Sequence, residues 1–432
     1  HPALKAVSPQ APILDWFKGD DVHHNGALML LDIYSFAPYM FKKHDNPVKE
    51  DHGLESPVGD NAYSWFLGKQ TLSNMTASLP DTLSFWNEIL EHPHYDEYWK
   101  ERSIEPHLND VQPAILVVGG EYDTDDCYGA LNTYKLIRDN SPDTDLHFVY
   151  GPWTHGGWHN AAYEGLGDRK FGENLSQYFM EKIEYPFFRY YLEGKGQRPE
   201  PVYLFASGSQ QWQFMDKWPA DDTEYTPLYL SEDRSLSYAS PIQLQSSDTY
   251  CSDPFTPVPF MADATRRDNS YMVADQSFAS SRNDVLTFTS EVIDEIIKLQ
   301  GPLQVKFDLS LSTEDADIVV KFIDVHPDGY QMLVRGDVFP IRYRYAYDSP
   351  VKANPGEILH IDFTMNDIAH WIMPGHRMMV QIQSSWFPLV NINPQTYLPN
   401  IYEADSEDYI SSEITIYHQK DAQSHILLPI VR

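Results

Sequence analysis

A chain of 432 residues with a formal charge of −32 is longer than one ordinary domain, and nucleic acid and anionic membrane surfaces would repel it. Its 42% hydrophobic content supports a sizeable core, yet no run approaches the ~18 apolar residues of a membrane span. Cys127 and Cys251 stand far apart, in no disulfide-type spacing, and leave the redox compartment open.

Leu4 to Val7 predicts a short strand running into a proline-bracketed loop. From Ala27 to about Leu108 the character changes. Ala27–Phe41, Tyr63–Leu72 and Leu83–Leu90 have helical spacing, with a polar loop over His44–Asp60 and helix-start residues Ser78-Leu79-Pro80-Asp81-Thr82 before the third. This region reads as a helical cap inserted between strands of an α/β domain.

Ala114 to Gly119 is a continuous apolar run, the pattern of a parallel strand buried on both faces. It opens into Gly120-Glu121-Tyr122-Asp123. A helix is predicted over Asp126–Arg138, with Ala130, Leu131, Tyr134 and Ile137 on one side. A second apolar strand, Leu146–Tyr150, ends in Gly151-Pro152-Trp153-Thr154-His155. An amphipathic helix from about Asn174 to Leu192 follows, with a kink expected at Pro186. Beyond Pro201, period-two alternation dominates, as in Leu303–Leu311, Ile358–Phe363, Met378–Ile382 and Ile414–Tyr417. Short strands between Pro, Gly, Asp and Asn turns predict an antiparallel sandwich of jelly-roll type. The division is therefore 1–22 and 109–200 for the α/β core, 23–108 for the cap and 201–432 for the sandwich.

Two consecutive buried strands thus deliver Asp123 and His155 from the C-terminal edge of a parallel sheet, where open α/β sheets carry their sites. A carboxylate that fixes an imidazole, and an imidazole that takes a proton, are two members of a Ser–His–Asp triad. The neighbours Asp125 and Asp126 are the natural N-caps of the following helix. No G-x-S-x-G motif occurs; the nearest sequence, Ser207-Gly208-Ser209-Gln210, lies past the α/β region. No serine before Asp123 sits in a strand–turn–helix elbow. His23-His24 beside Asp20-Asp21 superficially suggests a metal, but adjacent histidines point apart on any regular element, and no metal or cofactor is expected.

The stretches HPALKAVSPQAP, DWFKGDDVHHNGA, HPHYDEYW, GGEYD, GPWTHGG, QQWQFMDKWP, PGHRMMVQIQSSWFPL and NPQ occur in order along the chain. In them it resembles the α-amino-acid ester hydrolases and glutaryl-cephalosporin acylases of the cocaine esterase and X-Pro dipeptidyl peptidase group of α/β-hydrolases. The resemblance covers the C-terminal two-thirds of such proteins. It implies a partial α/β-hydrolase core with an inserted helical cap and a C-terminal jelly roll. It also implies that a nucleophile-bearing N-terminal segment of the same protein is absent. Asp123 matches the triad acid and His155 the triad base. Related enzymes hold the substrate's α-ammonium group with carboxylates, for which Asp96 and Glu97 in HPHYDEYW are the candidates, with Trp99 as an aromatic wall.

The expected function is hydrolysis of ester or amide acyl bonds by a serine hydrolase, on α-amino-acid esters, β-lactam acyl groups or short peptides, with this fragment inactive for lack of the serine. An X-Pro dipeptidyl peptidase and a non-catalytic glycan- or peptide-binding jelly roll are the alternatives. The partners implied are a small-molecule acyl substrate and the N-terminal segment, with a homo-oligomer left open. The resemblance places the protein in the periplasm or outside the cell.

Overall fold

In the computed structural model, which describes residues 1–40, 56–80 and 83–431, two sheets meet along one seam. The first runs in the order Ala6–Val7, Ala114–Gly120, Leu146–Gly151, Val202–Ala206, Gln211–Met215. Its first four strands are parallel and the last is antiparallel. Ala114–Gly120 is buried at every residue, as its unbroken apolar run demands. Ile115 and Val117 join the core of helix Cys127–Asn140 through Ala130, Leu131, Tyr134 and Ile137. Leu116 and Val118 belong to the opposite core, with Phe179, Ile183 and Phe187.

That second covering helix is not simply kinked. It passes from Leu175–Tyr178 through a π turn, Phe179–Glu184, into Tyr185–Glu193. Pro186 has no N–H for the Lys182 carbonyl and its ring crowds that turn, so the helix widens just before it. It stops at Gly194, whose φ of 67° lets its amide reach the Tyr190 carbonyl at 3.1 Å.

The cap region departs from the sequence expectation at both ends. The first helix spans Leu30–Met40 because Ala27–Leu28 is spent on a ribbon with His23–His24. The two turn residues, Asn25 and Gly26, both have positive φ, which is the hairpin chemistry of an Asn-Gly pair. The predicted Tyr63–Leu72 helix divides into Ala62–Lys69 and Leu72–Thr76, because Asn61 caps the amide of Ser64 and Thr71 caps that of Asn74. The third helix is Ser84–Glu91, without a side-chain cap. Asp81, Thr82 and most of the predicted His44–Asp60 loop lie outside the described residues.

The chain from Glu224 onward is nearly all β, a twelve-stranded sheet among the described residues. Three of the four predicted alternations fall inside its strands Ile297–Leu311, Arg377–Gln383 and Ser412–Gln419, and the fourth, Ile358–Phe363, begins one residue before strand Leu359–Ile372. Val202–Ala206 and Gln211–Met215, expected in this part, instead continue the first sheet, with Phe148 opposite Val202. The reason is legible in the residues: Val-Tyr-Leu-Phe-Ala is buried throughout and does not alternate. At the seam, Ser207 and Trp371 donate backbone hydrogen bonds to Ala369 and Ser207 respectively, and Glu121 accepts from the Ala369 amide at 3.0 Å. Both cysteines are free, Cys127 buried and Cys251 exposed.

A charged cluster is buried in the all-β part. Asp315 is paired with Arg342, and Asn393 donates to both Asp315 and Asp317. Burial, with the Asp315 charge adding to it, pushes Asp317 up to about 7. An unfolded aspartate titrates near ~3.9. The Asp317 contribution to stability is therefore complete below that value and is lost as pH rises through about 7. Asp317→Asn should accordingly gain in melting temperature relative to the parent between pH 5 and pH 8. Parallel melting curves for the two proteins would expose the error.

Candidate active site

Ala114–Gly120 and Leu146–Gly151 end in register, Gly119 opposite Tyr150 and Gly120 opposite Gly151. The loops beyond them stay zipped, Glu121 donating to the Gly151 carbonyl and Tyr122 to that of Trp153. A β-carbon at Gly120 would stand 2.2 Å from the Trp153 carbonyl oxygen, so only glycine allows this approach. The result places His155 Nδ1 3.3 Å from Asp123 Oδ2. Asp123 is fully buried and fixed, its Oδ1 accepting from the amides of Asp125 and Asp126 at 3.1 and 3.2 Å. His155 is half-exposed, and its ring has no serine hydroxyl bonded to it among the described residues.

Asp126 does not act as the helix N-cap that the sequence suggests. It occupies the cap position but makes no side-chain cap bond. Its Oδ2 lies 3.1 Å from the same His155 Nδ1, so the imidazole faces two carboxylates. Asp123 first and then Asp126 push His155 up to about 11. Burial raises Asp126 in turn. Asp126→Asn should bring the His155 titration down by about 1–3 pH units, the range expected for one nearby opposite charge. An NMR titration of the imidazole would show no movement if Asp126 contributes nothing.

The acidic group is wider still. Asp21, whose amide donates to the Asp125 carbonyl, is pushed up to about 7 by burial and then by Asp126. Asp125 is pushed up to about 8 by burial and then by Asp32. Arg267, from the all-β part, bridges Asp32 and Asp125 and reaches Thr124. Asp21 also borders an apolar cavity of about 260 Å³ walled by Trp16, Ile33, Phe36 and Phe85. A larger cavity of about 590 Å³, lined by Tyr343, Tyr347 and Lys135, contains neither Asp123 nor His155.

The other sequence candidates have different duties. Asp96 caps the short helix Glu97–Lys100 through the Tyr98 amide and lies 2.6 Å from His92 Nδ1. Glu97 is 82% exposed beside Lys100. Trp99 is buried against Phe17 and His23, its Nε1 donating to the His92 carbonyl. None of the three is hydrogen-bonded or ion-paired to Asp123, Asp126 or His155 among the described residues. His23 and His24 point apart, His23 to Tyr402 and His24 toward Asp337.

Ser207 does meet a histidine and an aspartate, with Oγ 2.9 Å from His370 Nδ1 and His370 Nε2 3.0 Å from Asp324. All three are buried at the seam, where no acyl substrate reaches the hydroxyl. Sequence reading missed Asp126, Asp21 and Arg267. The Asp123-x-Asp125-Asp126 spacing was a usable signal for the first; Arg267 left none.

The geometry agrees with what the chain is similar to. Residues 1–157 match the model of the X-Pro dipeptidyl-peptidase (S15 family), and 186–427 match the X-Pro dipeptidyl-peptidase C-terminal non-catalytic domain. Cocaine esterase of Rhodococcus sp. (strain MB1 Bresler) is 30% identical over 363 residues, 80% of this chain and 61% of that protein. The chain thus spans less than two-thirds of that relative's length. Among solved structures, an aminopeptidase from the marine sediment archaeon Thaumarchaeota archaeon superposes with a TM-score of 0.93 at 32% identity, over 100% of this chain and 73% of that one. An α-amino acid ester hydrolase superposes with a TM-score of 0.91 at 30% identity, over the same shares. The chain belongs to the X-Pro dipeptidyl-peptidase family, in the group that also holds cocaine esterase and α-amino-acid ester hydrolase.

Proposed function

We propose that this chain carries the acid and the base of a serine hydrolase that cleaves ester or amide acyl bonds through an acyl-enzyme. The observation that carries the reading is the Asp123–His155 contact at the ends of adjacent parallel strands. The serine and the oxyanion donors belong to an N-terminal segment of the same polypeptide, in keeping with the 61% and 73% shares of the relatives that the chain spans. In the reaction the serine hydroxyl attacks the carbonyl carbon as His155 takes its proton. Asp123 holds the imidazolium, and the proton passes to the leaving group as the acyl–enzyme ester forms. Water repeats the sequence to release the acid. The same division of labour fits an α/β-hydrolase core followed by a sandwich of jelly-roll type.

The surroundings of His155 support one substrate class. Asp21 and Asp126 offer negative charge to a cation, and the Trp16–Ile33–Phe36–Phe85 cavity beside Asp21 takes an apolar side chain. An α-amino acyl group with an apolar or aromatic side chain satisfies both. A protonated ammonium there also draws the Asp126 carboxylate away from His155, which favours the neutral imidazole needed as base.

The full gene product should be labelled by a fluorophosphonate and should hydrolyse an α-amino-acid p-nitrophenyl ester faster than its N-acetylated analogue. The isolated 432 residues should show no His155-dependent turnover, and turnover by them would overturn the split site. An X-Pro amide cleaved faster than the amino ester would select the X-Pro dipeptidyl peptidase reading. A non-catalytic binding role fits poorly, because a binding protein has no need of the Asp123–His155 pair.

A further inference from the structure

Away from His155, three potential ligands converge where two antiparallel strands of the all-β part meet. Asp324 lies near the end of strand Asp317–Val325, and His326 follows that strand. His376 immediately precedes strand Arg377–Gln383. The strands are paired, Asp324 opposite Met378 and Val325 opposite Arg377, so Asp324 sits on the ladder and the two histidines flank its last pair. Asp324 and His326, two residues apart, share a face.

The distances are those of a ligand set. His376 Nδ1 is 2.7 Å from Asp324 Oδ1, and His326 Nε2 is 3.7 Å from Asp324 Oδ2. One ligating atom from each of the three lies within 4.8 Å of the others. The two imidazole rings are 4.5 Å apart between centroids. Zinc bonds of ~2.0–2.2 Å place tetrahedral ligands roughly 3.3–3.6 Å apart, so modest side-chain adjustment closes the set around one ion.

Two further observations separate this group from a plain hydrogen-bond hub. His326 Nε2 is buried and has no hydrogen-bond partner among the described residues, a loss that a hub would have repaired. Asp324 is nearly fully buried and its Oδ2 is held by His370 Nε2 at 3.0 Å, with His370 held in turn by Ser207. Such outer partners are how proteins fix a metal-ligating carboxylate. The buried Ser207–His370–Asp324 line thereby acquires a purpose that catalysis could not give it.

We propose that Asp324, His326 and His376 bind a divalent transition-metal ion, with zinc the best match to two imidazoles and one carboxylate, and with water as the fourth ligand. His326 and His376 are partly exposed, which gives the ion a path in. Arg169, stacked on the Tyr330 ring beside His326, places a cation on the same side and weakens the site relative to a closed structural zinc centre. The bound ion would clamp the two strand ends and, through His370, the seam with the first sheet.

The test uses the 432-residue chain, stripped with a chelator and titrated with Zn2+ against a chromogenic competitor, with melting curves in parallel. Asp123, Asp126 and His155 also bring ligating atoms within 4.8 Å of one another, so a His155→Ala variant is essential. Wild type and His155→Ala should bind zinc with similar affinity and melt at a higher temperature when loaded. His326→Ala should bind about tenfold more weakly or worse and lose the zinc-dependent rise. This variant removes no side-chain hydrogen bond among the described residues, so it should fold; His376→Gln, checked by circular dichroism, provides an independent second loss. Zinc affinity unchanged in His326→Ala overturns the assignment. So does binding that disappears in His155→Ala and survives in His326→Ala, or a wild-type chain that zinc does not stabilise.

Discussion

On the proposed reading, with the serine supplied by an N-terminal segment, Asp123→Asn is expected to lower kcat for ester hydrolysis by about 10⁴-fold with little change in KM, as loss of the orienting acid does in other triads. The buried Asp123 carboxylate is locked by two amides and faces His155 Nδ1; an amide in its place offers that nitrogen a different hydrogen-bond pattern and no charge. Asp126 could take over part of the role, because it lies slightly closer to the same nitrogen. The expectation is that it does not. The Asp126 carboxylate has no backbone donor among the described residues, and its affinity for a proton is raised by burial. The comparison is therefore decisive: Asp126→Asn should mainly alter KM for amino esters, and Asp123→Asn should mainly alter kcat. Equal kcat losses in the two variants would make them a shared acid and require a different proton inventory.

Arg342→Met should destabilise the folded chain by about 3–5 kcal/mol, the usual penalty for removing one partner of a buried ion pair. Arg342 and Asp315 are both essentially without solvent contact, and Arg342 donates to Asp315 through Nε at 2.9 Å and through a terminal amine. Its other terminal nitrogen donates to the Leu398 carbonyl. Without the guanidinium, Asp315 would keep Asn393 as its donor and would stand as an uncompensated charge beside Asp317. The double variant Arg342→Met/Asp315→Leu removes both charges and should recover much of the loss. Denaturant unfolding of the two single variants and the double gives the coupling directly. If the double variant is no more stable than Arg342→Met alone, packing and not charge is what Arg342 supplies.

Arg267 illustrates how a site can depend on residues that sequence motifs do not reach. It arises far along the chain from Asp123, yet its guanidinium links Asp32 of the helical region to Asp125 of the loop that carries Asp123. Without a cation there, two buried carboxylates would repel each other next to Asp123. The all-β part thus helps hold the acidic loop in place.

Local pattern was enough to place Asp123 and His155, because buried parallel strands have an unmistakable composition and their C-terminal ends are where such sheets carry chemistry. It was also enough for helix Cys127–Asn140 and for the long alternating strands beyond Ile297, whose periodicities of 3.6 and 2 are written into the residues. Tertiary structure decided everything that depends on which separate segments meet. It placed Val202–Met215 in the first sheet, turned Asp126 from a helix cap toward His155, and brought Asp21 and Arg267 into the same acidic group. It also gathered Asp324, His326, His370 and His376 around one buried carboxylate. Periodicity reports which face of an element is buried, but the partner across that face is chosen by the folding of the whole chain.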